Sequence, residues 1–314
     1  MATWTTSAAI GQREDLTDVI TRIDPDETPI FSNAKRQTTK AVYHEWQVQE
    51  LAAAVDTNYV NEGADFSYTN PTATTRLGNY HQISVQAAQV SGTLDAVSLA
   101  GRNKESAFVK ISKSLEQRRD IEKALCKNEA RSSSDPRKCG KLMSYITNIN
   151  VTGASTTPSG DGSDVSDLAG TDAALTLAKI DAANLLAYSD GGQPDMMVVS
   201  PANKVAFSDL SSGSAVTNQL HMTSPKEATI IGSVSMYLTD FGMLNVTIDR
   251  FNADDRIFLL DSDHYCIGHL PGRMFAVEDL GVVAGDASRF AITSEWTLIM
   301  SAPKAHAGVY DLST

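Results

Sequence analysis

The segment from Arg76 to Thr93, RLGNYHQISVQAAQVSGT, constrains the fold more than any other part of the chain. Its apolar and polar side chains alternate, which predicts a β-strand. The strand is about twice the usual length, and neither of its faces is strongly apolar. One face carries a mixed set of side chains: Leu77, Asn79, His81, Ile83, Val85 and Ala87. A strand of this length and composition needs cover from other parts of the fold or from another molecule.

A second alternating segment, AVYHEWQVQEL, lies upstream and predicts a partner strand. The residues between the two, 52–75, are polar and rich in turn formers. We therefore predict a long β-hairpin that pairs strand 42–51 with strand 77–90. His44 and His81 fall on these strands, where a cross-strand pair is expected. A two-stranded ribbon is marginal alone in water, so it needs partners from elsewhere.

The first 40 residues have the pattern of an arm rather than of a domain. EDLTDVITRI predicts a short amphipathic helix that ends at Asp24-Pro25. The following DETPIFSNAKRQTT is expected to be extended, because Pro29 biases Thr28 away from helix. Such a segment cannot bury itself and is expected to lie along another surface.

A long helix is predicted from about 102 to 131, since no Pro or Gly interrupts the pattern for more than 25 residues. Its apolar stripe at helical spacing is Phe108, Ile111, Leu115, Ile121 and Leu125. Residues 102–141 hold 12 Lys and Arg against 6 Asp and Glu, whereas the whole chain has a net charge of −12. The overall charge argues against a general nucleic-acid binder, so this basic helix is a local exception.

An α/β section follows a polar insertion at 150–171. A helix capped by Thr171 or Asp172 is predicted, with Leu175, Ala178, Ala182 and Leu185 on one face and Gly191-Gly192 at its end. The strand MMVVS then leads into a helix that begins with Ser200-Pro201, a typical cap and first-turn proline. The last predicted strand is RFAITSEWTLIM, whose shared apolar face is Phe290, Ile292, Trp296, Leu298 and Met300.

Motifs for catalysis or cofactor binding are absent from the sequence. It contains no GxxxxGK[ST], GxGxxG, GxSxG or HExxH. Three cysteines without a CxxC pair favour reduced thiols over a disulfide or zinc framework. The densest group of metal-ligand types is Asp261, Asp263, His264, Cys266 and His269, which a hairpin with ordinary polar residues explains better. We therefore predict no catalytic, cofactor-binding or metal residues and no enzyme activity.

Targeting and membrane segments are also absent from the sequence pattern. No apolar run approaches the roughly 20 residues of a membrane helix. The start, MATWTTSAAIGQREDL, has neither the basic nor the apolar region of a secretory signal. We expect a protein made in the cytoplasm without membrane contact.

Several segments resemble a podovirus-type major capsid protein family with the Hong Kong 97-type fold. They are REDLTDVITRIDPDETPIFSNAKR, YHEWQVQELAAA, RLGNYHQISVQAAQVSGTLDAV, GRNKESAF, EWTLIM and PKAH. The resemblance implies an α+β fold with five regions. These are an N-arm at 1–40, an extended loop at 41–93, a peripheral domain with a spine helix at 94–141, an axial α/β domain at 142–280 and, at 281–314, a C-terminal strand that returns to the peripheral domain.

The function that the resemblance implies is a major head protein that self-assembles into the icosahedral shell of a bacteriophage virion around double-stranded DNA. Implied partners are other copies in hexamers and pentamers, a separate scaffolding protein, the portal and weakly, non-specifically bound DNA. The expected intersubunit contacts are Trp46, Tyr59, Phe66, Tyr68, Arg76, Tyr80 and His81. The expected inward basic face is Lys113, Arg118, Arg119 and Lys123. No covalent crosslink and no cofactor are expected.

Three other classes stay open at this point. A tail-tube subunit or an encapsulin-type shell also self-assembles, although a tail subunit would more naturally lack the long basic helix. A metal-dependent hydrolase would use Asp261, Asp263, His264 and His269.

Overall fold

The computed structural model describes residues 20–21, 26–68, 70–151, 156–168, 170–213, 235–281 and 285–313. The helix predicted at the N-terminus lies mostly outside these ranges. The described chain forms one five-stranded sheet, one six-stranded sheet and two small two-stranded sheets. The fold is therefore α+β, and two of its sheets organise the molecule.

The segment after Asp26 differs from the extended arm expected from sequence. It forms a short helix, α1 (Pro29–Asn33), and a strand, β1 (Lys35–Thr38). Pro29 occupies the first turn of α1, where its missing N–H costs nothing. Ile30 and Phe31 are buried in the main core, so this part of the expected arm is an internal element of the subunit.

The ribbon is shorter than predicted because the second long strand divides at His81. Strand β2 (Tyr43–Val48) pairs in antiparallel fashion with β3 (Thr75–Tyr80), and a separate strand, β4 (Gln82–Ser91), follows. The His81 N–H donates to the Val42 carbonyl, which closes the ribbon at its base. The predicted cross-strand histidine pair is wrong, since His44 lies opposite Asn79.

The five-stranded sheet contains β1, β4, β11 (Tyr265–His269), β12 (Ala276–Gly281) and β13 (Ala287–Met300). Strand β13 is its centre, because it pairs with β11 along one half and with β12 and β4 along the other. The predicted face of β13 is confirmed, and all five of its members are fully buried: Phe290, Ile292, Trp296, Leu298 and Met300.

Two helices follow β4, the short α2 (Gly92–Ala96) and the long α3 (Glu105–Leu125). Helix α3 is shorter than the predicted 102–131, and its predicted apolar stripe is buried only at Ile121 and Leu125. Its buried residues are Gln117, Ile121, Glu122 and Leu125. Ile111, expected in the stripe, is 62% exposed. Two hydrogen bonds explain this orientation. The Gln117 amide donates to the carbonyls of Ser84 and Ile292 on two strands, which fixes the rotation of the helix.

The six-stranded sheet has the order β5-β14-β10-β7-β9-β8. Its strands are β5 (Asn148–Asn150), β7 (Met196–Val199), β8 (Met236–Thr239), β9 (Gly242–Ile248), β10 (Arg256–Leu260) and β14 (Ala307–Tyr310). Smaller elements are α4 (Leu142–Tyr145), β6 (Ala173–Ala174) and β15 (Leu312–Ser313), and β6 pairs with β15. Strands β7 and β10 are fully or almost fully buried, which matches their continuous apolar sequences.

Helices α5 (Leu177–Ser189) and α6 (Pro201–Gly213) accompany this sheet. The predicted cap of α6 is confirmed, because the Ser200 hydroxyl accepts from the Asn203 N–H. The predicted start of α5 is wrong: residues 173–174 pair as β6, and Thr176 becomes the cap. The buried face of α5 is accordingly Ile180, Ala183, Asn184 and Ala187, whereas the expected Leu185 is exposed.

Strand pairing cuts across the region boundaries expected from the resemblance. Strands β11 and β12 were expected in the α/β section, yet both pair with β13 in the five-stranded sheet. Strands β14 and β15 were expected to return with β13, yet β14 lies inside the six-stranded sheet. Long backbone ladders decide these positions, and no local sequence pattern encodes them.

The rotation of α3 about its axis, which buries Ile121 and exposes Ile111, leads to a prediction about stability. Ile121→Ala is expected to lower the free energy of unfolding of the unassembled subunit by about 2–5 kcal/mol, because it leaves a cavity in the core. Ile111→Ala is expected to change it by less than about 0.5 kcal/mol, because that side chain is exposed. Urea unfolding followed by circular dichroism compares the two variants. Equal losses would contradict the observed rotation of the helix.

Candidate assembly interface

The root of the ribbon is held to the body by one buried amide. The Asn79 Nδ2 donates to the carbonyls of Gly140 (3.1 Å) and Leu298 (2.8 Å). Its Oδ1 accepts from the N–H groups of Gly140 (2.8 Å) and Tyr80 (2.9 Å). All the hydrogen-bonding capacity that the side chain needs when buried is therefore used. The direction in which the ribbon leaves the body is fixed by this side chain.

Gly78 and His81 complete the root. The Gly78 carbonyl accepts from the Tyr145 hydroxyl (3.0 Å) and from the Arg131 guanidinium. A Cβ at Gly78 would lie 2.7 Å from the Tyr43 ring, so a larger residue there would have to displace that ring. His81 Nδ1 lies 3.0 Å from the Val42 carbonyl and Nε2 lies 2.7 Å from the Thr39 hydroxyl. Burial lowers the pKa of His81, and a neutral ring that donates from Nδ1 and accepts at Nε2 satisfies both contacts.

The tip of the ribbon, residues 49–74, is exposed, in contrast to the buried root. Its described residues form neither helix nor strand, and all of them are exposed. Six large apolar side chains in the tip are between 65% and 92% exposed: Leu51, Val55, Tyr59, Val60, Phe66 and Tyr68. Exposed apolar surface of this extent indicates an interaction site.

The tip is also uniformly acidic. It holds four carboxylates, Glu50, Asp56, Glu62 and Asp65, and no Lys or Arg. Glu50 forms an exposed ion pair of 2.9 Å with Lys304 at the base of the ribbon. A partner for the tip is therefore expected to offer both apolar and basic groups.

The seven contact residues expected from sequence divide into three groups. Tyr59, Phe66 and Tyr68 share the bare tip, and Arg76 is exposed 3.6 Å from Glu45. Two others are half-buried in the ribbon, where Tyr80 contacts the Tyr43 ring and Trp46 packs 6.0 Å from the Tyr145 ring. His81 is fully buried in its own subunit, so its expected role as an intersubunit contact is wrong.

Sequence reasoning missed the apolar surface on the five-stranded sheet. Gln86 donates to Asp120 of α3, and the Ser84 carbonyl accepts from Gln117 of the same helix. The more apolar side of β4 therefore faces outward. Ile83 is 47% and Val85 is 53% exposed there, beside Ala87. The alternation was visible in the sequence. Which side would be buried depended on α3.

Arginines border this apolar row, which we call the outer sheet face (Ile83, Val85, Ala87 and their neighbours on β13). Arg289 lies opposite Gln89 on the adjacent strand. Arg273 and Arg137 both contact Glu295, at 3.3 Å each, and Arg273 also contacts Glu278 at 3.4 Å. The outer sheet face therefore presents apolar side chains next to three guanidinium groups.

The four basic residues expected on α3 are not a free stripe. Lys113 pairs with Glu116 at 2.6 Å. Arg118 donates to the Ser32 hydroxyl at 2.6 Å and lies over Phe31. Arg119 lies 5.8 Å from the Phe251 ring centre, and Lys123 is exposed. Of these four residues, Lys113 and Lys123 reach solvent and do not pack on an aromatic ring.

The residues considered for metal binding are engaged otherwise. Asp263 pairs with Lys35 at 2.6 Å, and Cys266 lies 3.4 Å from the Gln37 side chain. Asp261 accepts from the Asp263 N–H. Within the described ranges, no group of three or more His, Cys, Asp or Glu side chains is arranged to hold a metal ion. None of the helices in those ranges is long and apolar enough to cross a membrane.

Comparison with known proteins connects this architecture to phage shells. A family model described as SU10 major capsid protein matches residues 3–313. The major capsid protein of Escherichia phage Phieco32 is 26% identical over 121 residues, which are 38% of this chain and 34% of the length of that protein. The chain thus matches about a third of that relative.

Two solved structures are similar over the whole chain. A chain of the cyanophage A-1(L) capsid has a TM-score of 0.70 at 13% identity, with 99% of both chains covered. An encapsulin from Synechococcus elongatus PCC 7942 has a TM-score of 0.60 at 9% identity, covering 100% of this chain and 97% of that one. At such identities the structures establish the fold alone. Together with the family match, they confirm the resemblance drawn from the sequence. The chain belongs to the SU10 major capsid protein family and has the Hong Kong 97-type α+β fold of a shell-forming capsid subunit.

Proposed function

We propose that copies of this major capsid protein close into an icosahedral shell around double-stranded DNA, through hexamers and pentamers. The observation that carries the proposal is the ribbon, which is rigid at its root and bare at its tip. In this assignment the five-stranded sheet with α3 is the peripheral domain, and the six-stranded sheet is the axial domain. The ribbon, residues 43–80, is the extended loop.

The tip requires a partner outside its own subunit. Burying a large apolar side chain fully contributes about 1.5–3 kcal/mol, and six such side chains are exposed. The ordered root prevents the tip from folding back, because Asn79 and Gly78 fix the base of the ribbon to the body. Another copy of the chain is the partner that a capsid provides in quantity.

The outer sheet face of a second copy fits the tip in chemistry. It offers Ile83 and Val85 to the aromatic side chains of the tip, and Arg289 to its carboxylates. Such a contact joins two different surfaces, so it propagates from copy to copy and closes when the rotation closes. Each contact can be modest, because the shell contains many of them.

Two lysines of α3, the exposed Lys123 and the partly exposed Lys113, support a second surface. Lys113 and Lys123 belong to the segment with 12 basic against 6 acidic residues in an otherwise acidic chain. A basic surface inside an acidic shell suits weak, non-specific contact with packaged DNA. The proposal therefore places this face of α3 toward the interior.

The remaining roles follow from the same assignment. The protein acts structurally rather than as an enzyme, takes its place in the virion capsid and assembles in the host cytoplasm. A separate scaffolding protein guides assembly, a portal occupies one vertex, and no covalent crosslink joins the subunits. An encapsulin-type shell around protein cargo shares the fold, whereas the family match over residues 3–313 favours the phage capsid.

Two variants test the tip contact from its two sides. Tyr59→Ser with Phe66→Ser and Tyr68→Ser removes the aromatic groups of the tip, and Ile83→Glu with Val85→Glu places charge on the outer sheet face. Both are expected to abolish megadalton particles, since each removes the apolar half of the contact. Light scattering with negative-stain images measures assembly, and urea unfolding checks that the subunit keeps its stability to within about 0.5 kcal/mol.

Ile111→Glu is the matched control for the outer sheet face. It puts one glutamate in place of an exposed β-branched side chain of α3, where the test variant carries two, and its shells are expected to have normal mass. Normal shells from the tip variant or from the Ile83 and Val85 variant would show that the tip contact does not drive assembly.

The DNA-facing surface is tested by Lys113→Gln with Lys123→Gln. These shells are expected to form, and they should lose packaged DNA at lower salt than wild-type shells, because each phosphate contact removed reduces the salt dependence by about one unit. DNA released during a salt titration is the measurement. Lys40→Gln with Lys179→Gln removes the same charge elsewhere and should behave as wild type. Equal release by both pairs would refute the inward placement.

A further inference from the structure

A buried carboxylate joins the N-terminal segment to the long helix. Glu122, in the last turns of α3, is fully buried. Its Oε1 accepts from the Ile30 N–H at 2.7 Å, and its Oε2 accepts from the Phe31 N–H at 2.8 Å. These N–H groups belong to the first turn of α1, where no backbone carbonyl is available to them. One side chain therefore satisfies the start of a helix 92 residues away in sequence.

The charge of this carboxylate is not neutralised by an ion pair. No Lys, Arg or His of the described ranges forms a salt bridge with it. Arg118, one turn earlier on the same helix, donates to the Ser32 hydroxyl instead. A buried, unpaired carboxylate is costly in its charged form, so its protonation is coupled to its burial.

Other titratable groups surround the site from each neighbouring element. Asp249, after β9, accepts from the Cys126 thiol at 3.2 Å. Tyr265, on β11, donates to the Ile30 carbonyl at 3.4 Å. Arg256, on β10, donates to the Cys126 carbonyl at 3.1 Å. Arg36, after α1, lies 3.8 Å from the centre of the Phe31 ring.

These surroundings place the titration of Glu122 near neutrality. The pKa of Glu122 is raised to about 7: burial is the main cause and the negative charge of Asp249 adds to it, whereas the two backbone N–H groups and Arg118 act in the opposite direction. Burial also raises the pKa of Asp249 and that of the Cys126 thiol.

We propose that Glu122 is a proton-dependent latch, which holds α1 against α3 more tightly in its protonated form. When α1 opens, the carboxylate reaches water and regains its ordinary acidity. The closed form binds the proton more strongly, so acidification favours closure, and deprotonation in the closed form weakens it. The proposal concerns the single subunit and does not rest on the proposed shell.

The sign and range of the effect follow from linkage. Between the ordinary pKa of 4.5 and the buried value of about 7, the closed form retains a proton that the open form loses. The opening constant of α1 should therefore rise with pH, by up to about tenfold per pH unit, and should level off above pH 7. The N-terminal segment is thus set to loosen as the pH passes through neutrality.

Hydrogen–deuterium exchange of the full chain measures this opening. Protection factors for a peptide covering residues 29–39, normalised to intrinsic exchange rates, are followed from pH 5 to pH 8. In the wild-type subunit they are expected to fall with pH and then become constant above pH 7. Constant protection factors across the whole range would overturn the proposal, and this wild-type series decides the matter even where a variant does not fold.

Three variants assign the effect to one residue. Glu122→Gln removes the titrating group and should abolish the pH dependence. Glu116→Gln, on the same helix but paired at the surface with Lys113, should retain it. Asp249→Asn should retain it as well, with the levelling-off point moved to lower pH, because a neighbouring negative charge has been removed. Persistence of the pH dependence in Glu122→Gln would show that another group is responsible.

Discussion

The antiparallel ladder between β4 and β13 is the contact on which the rest of the subunit depends. It joins Gln82–Ser91 to residues 287–296, so it ties the first third of the chain to a strand from its last tenth. Helix α3 packs over it, held in rotation by Gln117, and β11 and β12 add to the other edge of β13. Because β4 is held in this sheet, the preceding strand must leave the body at His81. The projecting ribbon is the consequence.

The two ends of the ribbon differ in role: its root is bonded to the body of the subunit, and its tip is the surface that we propose for assembly. Near the body, buried hydrogen bonds of Asn79 and the missing side chain of Gly78 fix its direction. Beyond about residue 49, the described chain makes few backbone hydrogen bonds and exposes aromatic side chains. A subunit built this way is stable as a folded body, and it keeps an unfilled contact that a neighbour can satisfy. We propose that this neighbour is a second copy of the chain.

Local patterns in the sequence predicted the strands, the long helix and the Ser200-Pro201 cap, because those features depend on nearby residues. Tyr59, Phe66 and Tyr68, which were expected as contact residues, are exposed at the tip, and their contacts stay a prediction. Features set by distant partners were predicted wrongly. The rotation of α3 depends on Gln117 reaching two strands, and α1 depends on Glu122. His81 has the pattern of a contact residue, yet Thr39 and Val42 bury it.

The central claim is that the ribbon tip is covered by another subunit after assembly. Hydrogen exchange of peptides from residues 49–74, compared between free subunits and purified particles, tests it most directly. The account predicts rapid exchange in the free subunit and strong protection in the particle, while peptides from β10 and β14 stay equally protected in both. A tip that exchanges as rapidly in the particle as in the free subunit would contradict the account, and assembly would then have to depend on other surfaces.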